Sequence, residues 1–201
     1  MTTITKKLNL LLFVLFSFFS TAGFSPIVSD TKGVLPNFWV FYNPIQNGDA
    51  SLVRGVYVQN VLALPIVQQP ADNPYYVSNH DGEVTQFSTA AQYGNIGLLA
   101  HNNLSGKSFS QLAVGQEVNV MYGDGRVEKF IVSAVLHFQA LQPESQQSFF
   151  LNLDTSETLT AKEMFNRVYT GGHHLTFQTC IKANGNMSWG RLFVVATPKL
   201  Q

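Results

Sequence analysis

The chain has 201 residues, and only 12% are charged, with 12 bases balanced by 12 acids. That balance excludes the basic face of a nucleic-acid binder and the charge run of a polybasic lipid anchor. With 45% apolar residues and 16 phenylalanines, the length suits one packed domain behind a targeting segment.

Lys6 and Lys7 precede an apolar run over residues 8–19, and Ser20, Thr21, Ala22 and Gly23 follow. A positive start, a short apolar stretch and small residues make a secretory pattern. The run would rise about 18 Å as a helix, short of a roughly 30 Å hydrocarbon core, but approaches spanning length if continued to Val28. Residues 1–23 therefore read as a signal peptide or an N-terminal membrane anchor. Both readings export the domain, secreted or on the extracellular face of the plasma membrane. Residues 24–50 read as an N-terminal extension whose aromatic run, 38–42, packs on the domain's core.

From residue 53 short β-like runs alternate with turn formers, as in an all-β barrel or sandwich. Strands are expected over 55–58 and 62–67, with Pro65 marking an edge or bend, then over 84–87 and 96–100. Residues 117–121 and 126–135 flank Tyr122-Gly123-Asp124-Gly125, a hairpin turn. One helix stands out, because Thr160 and Glu163 form a capping box ahead of Met164 and Val168. It ends before Gly171-Gly172 and lies in a connection of roughly residues 141–172. Connections that long are usually functional. The last strands cover 175–180 and 191–196.

Cys180 is the single cysteine. In an exported chain an odd thiol is a reactive group, an intermolecular link or a buried apolar residue. Strand alternation puts Leu175, Phe177 and Thr179 on one face, read as core. Thr176, Gln178 and Cys180 share the other, polar face, read as lining a groove. If the last two strands pair antiparallel about Gly185 and Asn186, Cys180 lies opposite Arg191 with both side chains on one face.

Here the residues carry a likeness. Leu175-Thr176-Phe177-Gln178-Thr179-Cys180 resembles the sortase signature Thr-Leu-x-Thr-Cys, with Phe177 in place of Leu. Asn95-Ile96-Gly97-Leu98-Leu99-Ala100-His101-Asn102 resembles the family's strand ending in the catalytic histidine, with Ala100 where many members have Gly. Phe109 to Leu112 and Val114 to Val118 are similar to its F-x-x-L and G-D-x-I/V stretch, and Arg191 sits where its arginine does. The resemblance spans about residues 53–198. It implies a closed eight-stranded β-barrel with one helix in the loop before the Cys strand, and residues 51–201 as catalytic domain. It implies a cysteine transpeptidase that cuts an LPxTG-like sorting peptide through a Cys180 thioacyl intermediate. The acyl group then passes to an amine of a cell-wall precursor, pilin or protein, with no cofactor. Cys180, His101 and Arg191 would be catalytic, with Thr179, Thr176 and Ala100 at the substrate. Calcium, bound by some members, finds no dense carboxylate cluster here.

The chemistry is consistent with those residue types. Thiolate is the reactive form of cysteine, an imidazole can move protons near neutral pH, and a guanidinium offers fixed donors to a developing oxyanion. His173 and His174 lie near Cys180 in sequence but not along the extended chain, and they read as surface or core residues. His80 and His137 read as structural, and Arg126 and Arg167 as surface. Asn102 reads as a turn residue beside His101. The competing readings are a secreted cysteine peptidase without transfer, and a catalytically silent sortase-fold binding module.

Overall fold

The computed structural model describes residues 34–145 and 147–200. The segment read as signal or anchor, and the extension before residue 34, lie outside the described residues. Among those described, no helix is long and apolar enough to cross a membrane.

Ten strands occur in chain order: β1 Val53–Val58, β2 Leu62–Gln68, β3 Val84–Gln86, β4 Ile96–Leu99, β5 Glu117–Tyr122, β6 Val127–Ala140, β7 Phe150–Asn152, β8 Thr158–Leu159, β9 Leu175–Ala183 and β10 Asn186–Pro198. Their hydrogen-bonded order is β10-β9-β4-β3-β2-β1-β5-β6, and β6 pairs back onto β10. Those eight strands close a barrel, the architecture expected from the sequence. The short strands β7 and β8 continue outward from β6. Most pairs are antiparallel, while β2–β3 and β4–β9 are parallel.

Local chemistry explains the strand ends. Asn184 and Gly185 both have positive φ, 51° and 77°, which a two-residue hairpin turn requires and which Asn-Gly supplies at low cost. The strands therefore run to the turn, and the loop expected over residues 181–190 is strand for most of its length. Pro65, which cannot donate to a ladder, pairs with Gly55 on β1, and β3 joins the other edge only from Ile66.

Alternation fills the barrel. Val56, Leu64, Leu98, Val120, Phe177 and Val194 all point inward and are buried, with the Phe109 ring tilted against Phe177 at 5.0 Å between centroids. Each such side chain contributes about 1.5–3 kcal/mol by leaving water. The outer wall carries two further clusters. The helix α1, Phe38–Tyr42, buries Phe41 and Tyr42 against Tyr57 and Met121 but leaves Trp39 and Val40 exposed. The aromatic run thus packs through one side only, as helical geometry dictates, and on the barrel's outside.

After α2, Ser88–Ala91, the third helix, α3, spans Ala161–Tyr169 and starts with the expected capping box. Its Met164, Val168 and Tyr169 pack on Phe138, Phe150 and Phe193 outside the barrel. The connection over residues 141–172 also holds β7 and β8, too short for a periodic signal. Because α3 covers the outer face of β9, Thr176 is fully buried and its hydroxyl donates to the Val168 carbonyl at 2.6 Å. Gln178 receives the Tyr169 hydroxyl, whose pKa burial pushes up. Thr176 is sealed while Gln178 and Cys180 are half-buried, which corrects the expectation of a groove along all three residues.

Candidate active site

Strand register assembles the site. On β9–β10, Arg191 pairs directly with Cys180, and Phe138 of β6 follows Arg191 in the same row. On the other side β4 runs parallel to β9, with Leu99 beside Gln178. Ala100 keeps that pairing one residue further: its N–H donates to the Gln178 carbonyl at 3.2 Å, and its carbonyl accepts from the Thr179 hydroxyl at 2.8 Å. His101 comes next along the chain, one residue past these Ala100 contacts. Neighbouring strands lie about 4.8 Å apart, so Cys180 and Arg191 occupy adjacent positions across one outer row, and His101 follows two residues past the end of β4 on the other side of β9. Cys180 is a free, half-buried thiol, His101 is exposed and Arg191 is half-buried.

Each flanking group is held from behind. The His101 carbonyl accepts from the N–H groups of Leu104 and Gly106, both at 3.0 Å. The 3-10 helix Ser105–Gln111 begins there, and its Gly106 is pressed against the clamp. A Cβ on Gly106 would fall 2.4 Å from Thr179 Oγ1 and 2.7 Å from the His101 carbonyl. The Arg191 Nη1 donates to the Ser188 and Gly190 carbonyls, each at 2.9 Å, and the guanidinium lies 6.0 Å from the Phe150 ring centre. Among the described residues no carboxylate pairs with Arg191. Its charge is therefore not neutralised by any carboxylate among the described residues.

A groove of about 480 Å³ opens at the barrel mouth on the other side of the sulfur. Asn102, Gly106, Lys107, His137, Cys180 and Lys182 are among its walls. His137 enters because Thr179, Leu192 and His137 form the next row across β9, β10 and β6. Read as structural from sequence, His137 in fact lines this groove. No local signal marks it, because the β6–β10 pairing that brings it there spans more than 50 residues. Lys107 is bound to Asp81 at 2.8 Å, and that ammonium holds the Asp81 carboxyl below its usual range.

Two expected substrate contacts do not fit. Thr176 is sealed under α3, and Ala100 is buried with its N–H on the Gln178 carbonyl and its carbonyl on the Thr179 hydroxyl. Thr179 is buried too and binds Ala100 through its hydroxyl, so its part is to fix the His101 strand to the Cys180 strand. Asn102 does not bond His101. Its amide donates to the Met187 carbonyl at 3.0 Å, tying the histidine's loop to the β9–β10 hairpin. His173 binds Glu128 and Gly94, and His174 is buried against Val168 and Gly172, both away from Cys180. Among the described residues no three His, Cys, Asp or Glu side chains gather as a metal site.

The protein thus belongs to the class of closed eight-stranded β-barrels with a thiol and a guanidinium paired on adjacent strands, and with a histidine two residues past the end of the strand beside the thiol's. Among solved structures it is similar to sortase A of Listeria monocytogenes, with 13% identity and a TM-score of 0.47 over 76% of this chain and 89% of that one. It is also similar to sortase C of Clostridium perfringens, with 14% identity and a TM-score of 0.45 over 85% of this chain and 78% of that one. A further sortase of that organism, described as a transpeptidase, gives 16% identity and a TM-score of 0.44, covering 77% and 82%. No family model matches the chain, and no curated protein matches it.

Proposed function

We propose that the protein is an exported, sortase-like cysteine transpeptidase that cleaves an LPxTG-like sorting peptide and passes the acyl fragment to an amine. The observation that carries this reading is the direct pairing of Cys180 with Arg191, beside the β4 extension that ends in His101. In this reading the Cys180 thiolate attacks the scissile carbonyl, and the developing oxyanion is met by Arg191. His101, as imidazolium, gives its proton to the leaving amine, so that a thioester remains on Cys180. An incoming amine then attacks that thioester, loses a proton to neutral His101 and releases the thiolate. Loss of one oxyanion donor typically costs about 10²–10³ in rate, so Arg191→Ala is expected to fall in that range.

The test is incubation of the purified protein with a peptide library, with and without an added amine, followed by mass spectrometry. Transfer product that disappears with Cys180→Ala supports the reading. Cleavage without transfer identifies a peptidase, and no Cys180-dependent product at all refutes an enzymatic role and leaves the binding module.

A further inference from the structure

The sulfur of Cys180 has two approaches. The outer row carries Arg191, while the groove at the barrel mouth is lined by Cys180 but by neither Arg191 nor His101. The groove's charge is one-sided. Lys107, Lys182 and His137 line it and no Asp or Glu does, although acids and bases balance over the whole chain. Lys107 is already paired with Asp81, whereas Lys182 is exposed and has no ion pair among the described residues. Lys182 lies two residues beyond Cys180 on the unbroken strand β9. It lines the groove together with Cys180, about 6.6 Å further along the strand. A molecule whose nitrogen reaches the thioester carbonyl from this side can bring an anionic group one or two residues away against the ammonium.

Resting on the transpeptidase reading, we infer that this groove admits the acceptor and that Lys182 selects an amine carrying a carboxylate, such as a short peptide with a free C-terminus. In the transfer step the amine nitrogen bonds to the thioester carbon and the carbon–sulfur bond breaks. The electron pair stays on sulfur as thiolate, and the amine's proton passes to His101. No other reactant is consumed.

The experiment bypasses the unidentified sorting peptide by acylating Cys180 of the full chain with p-nitrophenyl acetate, read as a burst of p-nitrophenol. The acetyl-enzyme is then deacylated with glycylglycine or with glycylglycinamide. The rate ratio of the two is divided by the same ratio for a free N-acetylcysteine thioester, which removes amine basicity. An exposed ion pair of this kind gives a normalised preference of about two- to fivefold for the free carboxylate, smaller in 0.5 M salt. Lys182→Arg keeps the preference, Lys182→Gln brings the ratio to about one and Lys182→Glu inverts it. A wild-type ratio equal to that of Lys182→Gln overturns the acceptor inference while leaving the transpeptidase reading intact. No burst, or a burst that survives Cys180→Ala, overturns the reading itself, and the inference with it.

Discussion

Replacing Gly106 with alanine tests the clamp behind His101. The added Cβ would sit 2.4 Å from Thr179 Oγ1, 2.7 Å from the His101 carbonyl and 2.8 Å from the Ala100 carbonyl. Ordinary contact begins near 3.4 Å, so the three fall short by about 0.6 to 1.0 Å. Two of the atoms are main chain and cannot swing aside, so the His101 segment must move away from β9. Overpacking of this kind costs about 1–3 kcal/mol, or roughly 2–12 °C in melting temperature for a domain of this size. A displacement near 1 Å at a reacting group costs on the order of 10² in rate. The assay pairs calorimetry with the rate of Cys180-dependent acetyl transfer. The expected variant is folded, melts lower and is about a hundredfold slower. If it melts as the wild type does and turns over at the wild-type rate, the clamp does not position His101.

Thr160→Ala removes the hydroxyl that caps α3 and accepts the Glu163 N–H at 3.2 Å. It is expected to cost about 1 kcal/mol, seen as a lower denaturant midpoint with unchanged slope. Asp81 gives a pH signature. The Lys107 ammonium lowers its carboxyl pKa in the folded chain, so the unfolded chain binds more protons in acid. The stabilisation is therefore full above the unfolded value near pH 4 and disappears as pH falls through the folded one. Both side chains are more than half exposed, so the effect is small, at most about 4 °C. Melting scans should show Asp81→Asn below wild type at pH 7 and level with it near pH 2. A gap that stays constant with pH refutes the pair's contribution.

Much of the fold was legible because it is written in short-range chemistry. The Thr160–Glu163 capping box, the Asn184-Gly185 turn and the alternation through Leu175, Phe177 and Thr179 each depend on residues a few positions apart. The Cys180–Arg191 pairing did not follow from that turn alone: the turn pairs Ala183 with Asn186, and a register irregularity between Asn186 and Gly190 brings Arg191 opposite Cys180. Other features were hidden. Strands β7 and β8 have three and two residues, too few for a period to show. The burial of Thr176 depends on α3 folding back over β9, and α3 differs from a solvent-facing helix only in what it meets.

The site divides along the same line. Strand alternation and an assumed hairpin put Cys180 and Arg191 on one face in the sequence, while His101 was singled out only by the resemblance of its flanking residues to the sortase strand. Tertiary structure decided the rest. The parallel pairing of β4 with β9 joins segments 79 residues apart, and the closure of β10 onto β6 brings His137 to the groove. Such contacts depend on the whole barrel closing, because no local preference encodes which distant strand will supply the missing hydrogen bonds of an edge.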